Sequence, residues 1–356
     1  MRDGRPEGNV KAMMSGFVPG LELSRDFYTQ IVRPLLADVP HSAALIGPGS
    51  DVLACDTPRS TDHDWGPRVL VFVPRDAPAG IEEAIAPRLP AAFRGHRTVF
   101  GSDADPPRHG VRVHHAPDWL RDRLGFDPLA RPATPLDWLA APWQHLAEIT
   151  GGEVFHDGLG VLEHARAALR WYPADVWRYV LACQWARIAR QESFPGRSGE
   201  AGDDLGSAVI TARLAGDVMR LALLMRRRYP PYAKWLGTAF TRLPGTAELG
   251  DALAAAVAAG EWRQRQRHLA AAYERVAALH NRLALTGPLQ TTARPYSTRP
   301  FPVIDAGRFA AALLETITDP RVRALAPAGS IDQLCDPAAL PGPEARRAVT
   351  AAALHP

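Results

Sequence analysis

Residues 46–73 read Ile-Gly-Pro-Gly-Ser-Asp-Val-Leu-Ala-Cys-Asp-Thr-Pro-Arg-Ser-Thr-Asp-His-Asp-Trp-Gly-Pro-Arg-Val-Leu-Val-Phe-Val. An apolar run ends in a glycine turn, two aspartates one residue apart follow, and a β-favouring run closes the segment. This layout suits nucleotidyl transfer. Gly47 and Gly49 let the backbone approach a phosphate, and Ser50 with its neighbouring amides can hold phosphate oxygens. In an extended segment Asp62 and Asp64 project from one face, roughly 6–7 Å apart, because side chains alternate with period two. Two such carboxylates can grip Mg2+ bridging a triphosphate such as ATP. His63 falls on the opposite face and reads as a hydrogen-bonding residue. A solvated polar turn is the competing reading of the Asp-His-Asp triplet.

Working outward, composition limits the function classes. With 356 residues, 46% of them hydrophobic, the chain suits two globular domains. A formal charge of +3 from 41 basic and 38 acidic residues is near balance, which argues against a nucleic-acid partner. Only Lys11 and Lys234 are lysines, so the basic chemistry is almost all Arg. Three widely spaced cysteines without a CxxC pair fit a reducing compartment. No secretory leader and no 18-residue apolar stretch is read, so the expectation is a cytoplasmic protein with no membrane partner.

Periodicity divides the chain. Leu23, Phe27, Ile31 and Leu35 recur at helical steps with Ser24 as cap, and Ala43–Ile46, Val69–Val73 and Val111–His115 read as strands. Ile81–Phe93 has helical character interrupted by prolines. From about Asp137 strand signals vanish, and helices are expected over 159–191, broken at Pro173, and over 205–229, 247–259, 262–285 and 308–318. An extended Pro- and Thr-rich loop is expected over 287–302. The expected fold is α+β. A flexible N-terminus (1–20) precedes a mixed-sheet domain (21–136), an α-helical bundle domain (137–325) and a loosely structured tail (326–356).

The segment Gly-Pro-Gly-Ser followed by Ser-Thr-Asp-His-Asp-Trp-Gly-Pro-Arg resembles a bacterial family of nucleotidyltransferase-like proteins catalogued as domain of unknown function 4037. The likeness extends through Leu-Gly-Phe-Asp-Pro-Leu (124–129), Val-Trp-Arg-Tyr-Val-Leu (176–181) and Gln-Trp-Ala-Arg-Ile (184–188). It continues through Tyr-Pro-Pro-Tyr-Ala-Lys-Trp-Leu-Gly-Thr-Ala-Phe (229–240) and Arg-Pro-Phe-Pro-Val-Ile-Asp (299–305). The resemblance implies a polymerase-β-like nucleotidyltransferase domain followed by helices, the plan of antibiotic adenylyltransferases, and implies no particular acceptor. Two departures stand out. Trp65-Gly66-Pro67 intervenes between the aspartates and the strand, and Val111–His115 lacks the third carboxylate that active members present. Asp118, Asp103 and Asp105 are the acids nearest to that strand. His114 and His115 at its end read as structural histidines, with a phosphate or metal contact as the alternative.

Four further residues complete the expected site. Glu192 at a helix end is a candidate base for the acceptor hydroxyl. Arg187 shares a helical face with Gln184 and Gln191, with a salt-bridged surface as the competing reading. Lys234, a compact ammonium in an Arg-rich chain, suits a triphosphate. Arg213 lies on one face with Arg220. Together they describe Mg2+-dependent transfer of NMP, AMP from ATP first, to a hydroxyl of a small-molecule acceptor. The alternative is a catalytically weak or inactive nucleotide-binding or sensing protein with a helical interaction domain.

Overall fold

The computed structural model describes residues 17–62, 65–102 and 105–355. Helix α1 (Gly20–Phe27) opens the described chain and runs into a π-helical turn over Tyr28–Val32 and a last turn at Arg33–Leu35. The expected four-residue stripe begins as read, with Leu23 and Phe27 fully buried. A π turn inserts one extra residue, so the inward face then moves from Ile31 and Leu35 to the buried Val32 and Leu36. Ser24 is not a cap. It lies inside α1, fully buried, and its hydroxyl accepts the Arg68 amide at 3.1 Å.

Strand β1 (Ser42–Leu45) leads into the glycine turn, and a 3-10 turn spans Pro58–Asp62 before strand β2 (Val69–Phe72). Helix α2 (Ile81–Ile85) and the small strands β3 (Ala92–Phe93) and β4 (His96–Arg97) precede a hairpin of β5 (Val99–Ser102) and β6 (Asp105–His109). Strand β7 (Val111–His114) and helix α3 (Ala116–Leu124) follow. Helix α4 (Pro135–Ala140) and helix α5 (Trp143–Thr150) lead to strand β8 (Glu153–Asp157) and helix α6 (Val161–Leu169).

The strands form a mixed sheet in the order β7-β2-β1-β8. β2 is antiparallel to β1 and parallel to β7, and β8 joins the far edge antiparallel to β1. Alternation along β2 sorts its side chains. Val69 and Val71 turn to the core with Leu23, Phe27, Val32 and Val111, each fully buried. Every such apolar side chain removed from water contributes roughly 1.5–3 kcal/mol. Phe72, on the other face, meets Trp119 edge-on at 5.5 Å. Leu70 shares that second face and is only half-buried, because it borders a cavity.

Beyond Arg170 the chain is helical: α7 (Ala174–Gln191), α8 (Phe194–Glu200), α9 (Asp204–Met225), α10 (Ala233–Thr241), α11 (Ala247–Ala258) and α12 (Trp262–Arg282). A hairpin of β9 (Arg294–Tyr296) and β10 (Arg299–Val303) occupies the expected loop, and α13 (Gly307–Glu315) follows. Its strands are antiparallel, with Pro302 opposite Pro295 and a register irregularity between Arg299 and Pro302. Trp185 stacks on Phe309 at 4.4 Å between α7 and α13. Helix α14 (Pro320–Arg323) follows, and the stretch expected to be a loose tail contains α15 (Ile331–Leu334) and α16 (Pro343–Leu354), anchored by the buried Ile331 and Leu354. Its short apolar anchors are too few to give a visible helical period.

Two compact units result, residues 1–132 with 145–170, and residues 133–144 with 171–356. This division differs from the expected boundary near 136. Residues 145–170, read as the start of the bundle, supply the edge strand and a helix of the sheet unit. Among the described residues no helix is long and apolar enough to cross a membrane.

Candidate functional site

The glycine turn after β1 is held by its surroundings. Gly47 adopts φ +89° and its amide donates to the Glu148 carbonyl at 3.0 Å. Gly49 adopts φ +149°, and a Cβ there would fall 2.1 Å from an Arg68 guanidinium nitrogen and 2.2 Å from Asp51 Oδ1. The left-handed backbone and the absent side chain are therefore both required. Arg68 donates to the Pro48 carbonyl at 2.8 Å and pairs with Asp51. Asp51 is 1% exposed. Its Oδ1 also takes the Val52 amide at 3.0 Å, and its Oδ2 has no hydrogen-bond partner among the described residues. Asp56 completes the frame, its carboxylate accepting the Gly20 amide at 2.7 Å and the Trp65 indole at 3.2 Å. Neither Asp51 nor Asp56 was singled out from sequence. Position 51, directly after the Gly-Ser pair, was the available signal for the first.

Beside this turn lies a cavity of about 380 Å³, lined by Gly49, Arg68, Leu70, Phe100, Arg108, His109 and Arg112 with neighbouring apolar residues. Strand register explains the set. Leu70 and Arg112 are direct partners across the parallel β2–β7 pair, so they share a face, and Arg68 precedes Leu70 by two residues. Arg108 stands opposite Phe100 in the β5–β6 hairpin. The Phe100 ring closes against Gly66, where a Cβ would approach it to 2.6 Å. Arg112 is steadied by Glu82 at 2.6 Å. Among the described residues, no Asp or Glu lines the cavity. Three guanidiniums thus border one cavity beside the turn, those of Arg68 and Arg112 paired with Asp51 and Glu82.

Of the expected metal-binding pair, Asp62 is the one among the described residues. Asp62 is exposed at the end of the 3-10 turn, not in an extended segment, and Asp64 and His63 lie outside the described residues. Local hydroxyls favour the turn: Ser60 Oγ accepts the Thr57 amide at 3.0 Å and Thr61 Oγ1 donates to the Pro58 carbonyl at 2.9 Å. Ser50 is half-buried in the glycine turn, and its carbonyl accepts the Cys55 amide at 2.7 Å. Among the described residues, no three His, Cys, Asp or Glu side chains gather so as to hold a metal ion. Asp118 is taken up in the first turn of α3, where His115, Arg121 and Arg75 hold its carboxyl below the usual range. His115 thus serves as its hydrogen-bond partner. His114 is half-buried, and burial pushes its imidazole pKa down. Asp103 lies outside the described residues, and Asp105 opens β6.

Glu192 is an anchor within the helical unit, in place of the expected base. Its Oε2 accepts the Ile304 and Asp305 amides at 2.8 and 3.1 Å, and its Oε1 accepts the Ala306 amide at 3.0 Å. Burial pushes its carboxyl up to about 7, against the pull of those donors. The three amides occupy the oxygens that would have to reach an acceptor hydroxyl. Arg187 donates to the Gln333 carbonyl at 2.6 Å and lies 3.4 Å from Asp217, which Arg220 approaches at 3.6 Å. Gln184, fully buried, joins this network through Asp217 and Gln333. Arg213 is exposed on α9. Lys234 is exposed on α10 with Nζ 5.0 Å from the Trp235 ring centroid.

Residues 138–236 match the family model described as "Domain of unknown function (DUF4037)". The matched stretch holds the Gln184–Ile188 and Tyr229–Leu236 motifs and leaves the glycine turn outside. Neither a curated protein nor a solved structure matches the chain.

Proposed function

We propose that this chain binds the phosphates of a nucleoside triphosphate in its sheet unit and transfers NMP, AMP from ATP first, to a hydroxyl of a small acceptor. The arginine-lined cavity beside Gly49 carries this reading. A turn at the end of β1 and a parallel β2–β7 pair support placing the sheet unit in the polymerase-β-like superfamily. Gly49 lets the turn close on Arg68 and Asp51, while Arg108 and Arg112 would offset the negative charge of the phosphates. Arg68 spends part of its donor set bracing the turn through Pro48 and Asp51. Pre-set donors of this kind lower the barrier by meeting charge as it develops. Asp62 and Asp64 would hold Mg2+, whose hard-oxygen preference two carboxylates and substrate phosphates satisfy. When bound, the ion neutralises triphosphate charge and polarises the reacting phosphoryl group.

A second reading, nucleotide binding without turnover, is favoured by one observation. Arg112 faces the cavity from β7, the strand expected to present a third carboxylate. One assay separates the two: the protein is incubated with Mg2+, radiolabelled ATP and pooled hydroxylated acceptors. Pyrophosphate release that Asp62→Ala abolishes is the expected result for transfer. Thermal stabilisation by ATP without release, lost in Arg108→Ala/Arg112→Ala, selects the binder. Neither response removes both readings.

A further inference from the structure

We propose that Phe100 is the platform on which the base of a nucleotide stacks, so that the sheet cavity prefers a nucleotide to a bare polyphosphate without reading which base it carries. The inference rests on the phosphate-binding reading of that cavity and supplies the other half of the ligand. The lining has two chemistries. Arg68, Arg108 and Arg112 are cationic, while Ile46, Leu70 and Phe100 are apolar. A triphosphate alone meets the arginines and leaves the apolar part of the lining in water, where it gains nothing from burial. A flat apolar group joined to a polyanion covers both parts. Small-molecule sites commonly combine a largely apolar lining with a few placed polar groups in this way.

Phe100 is placed for the apolar part. It stands outside the core formed by Leu23, Phe27, Val69 and Val71, and it is only half-buried where it borders the cavity. Backbone seats the ring. A Cβ added at Gly66 would meet it at 2.6 Å and one at Gly110 at 3.0 Å, so two glycines make room for it, one just before β2 and one just before β7. A ring held in advance gives up little freedom when a ligand stacks on it. Arg108 is its direct partner across the β5–β6 hairpin. Such partners project to one face with Cβ atoms roughly 4.5–5.5 Å apart, so the hairpin delivers an aromatic surface and a guanidinium together. Stacking is open to every base, because each has a π-face. Among the described residues no carboxylate, amide or hydroxyl side chain lines the cavity to read a base edge, and His109 is the one polar side chain there besides the arginines.

The full-length protein is titrated calorimetrically with ATP, CTP and tripolyphosphate, each with Mg2+. ATP and CTP are expected to bind within about fivefold of each other, and both roughly tenfold or more tighter than tripolyphosphate. Phe100→Leu should bring ATP down to the level of tripolyphosphate and leave tripolyphosphate unchanged, a split that a merely structural role would not produce. Phe100→Met takes its place if Phe100→Leu lowers the melting temperature. Arg108→Ala should weaken all three ligands together. Tripolyphosphate bound as tightly as ATP by the parent protein, or ATP affinity unchanged without the Phe100 ring, overturns the proposal and leaves the phosphate site standing. A preference above about tenfold between ATP and CTP also overturns it, since the cavity would then read a base edge. Binding of neither ATP nor tripolyphosphate removes the phosphate site and this proposal with it.

Discussion

The two units place their arginines by opposite means. In the sheet unit, Arg68 and Arg112 are set by strand register and braced by Asp51 and Glu82, beside a turn that only glycine can make. In the helical unit, Arg263 and Arg267 follow from a four-residue spacing on α12, without acidic partners among the described residues. An arginine paired with a fully buried carboxylate, as Arg68 is with Asp51, costs more stability to remove than one displayed on a finished helix.

The largest effect should come from the deepest part of the framework. Asp51→Ala leaves Arg68 without its carboxylate in a poorly solvated place and should destabilise the sheet unit by about 3–5 kcal/mol in urea unfolding. A loss below about 1 kcal/mol would show that the pair does not brace the turn. Gly49→Ala forces a side chain onto left-handed backbone and against Asp51, and about 2 kcal/mol should be lost, together with ATP-dependent stabilisation. Arg263→Ala stands at the other extreme and should change stability by less than about 0.5 kcal/mol.

Between these lies a contrast in pH response. Burial raises Asp332, which lies in α15 and accepts the Trp143 amide at 2.9 Å, from 3.8 to about 7 and Glu192 from 4.5 to about 7, so the folded helical unit binds more protons than the unfolded chain across that window. Its stability is greatest on the acid side and falls as pH rises toward 7, by up to about 1.4 kcal/mol per pH unit for each group. Asp157 in the sheet unit behaves in reverse. Burial pushes its carboxyl up, but the Ser42 hydroxyl and the amides at the start of α6 outweigh this and leave it below its ordinary value. Its contribution is present above the unfolded pKa and fades in acid. Hydrogen exchange resolved by peptide at pH 5 and pH 7.5 should show protection falling with pH in α7 and α15 and not around β8. Asp332→Asn should flatten the helical response, and an unaltered slope would remove Asp332 as its source.

Sequence made the strands legible wherever burial was continuous or alternating, as in Val69–Phe72 and Val111–His114. It made the long helices of the second unit legible because each buries a full stripe. It misplaced the face of α1 after Tyr28, since a π turn leaves no mark in apolar spacing. It also missed β8: Glu153-Val-Phe-His-Asp has an edge strand's weak alternation and only half-buried side chains. At the candidate site, Gly49 was readable because a glycine is the residue that this backbone conformation and close packing require. Arg68, Arg108 and Arg112 were not, because only register and a hairpin bring them to one cavity. Glu192 misled because an acid at a helix end reads the same whether it meets a substrate or three amides.

The chain enters the sheet unit twice, leaving at Pro132 and returning at His145. During synthesis the sheet therefore waits with one edge unpaired until β8 emerges, by which time α4 of the other unit has already been made. Three covalent crossings, at 132/133, 144/145 and 170/171, join the units, so a single cut at any one of them leaves at least one unit incomplete. A fragment ending near residue 136 would carry β1 with its ladder open on one side, the form most prone to pair with another copy of itself. Shortening the chain to residue 170 keeps the whole sheet unit with 133–144 as a passenger, but no single cut frees the helical unit entire.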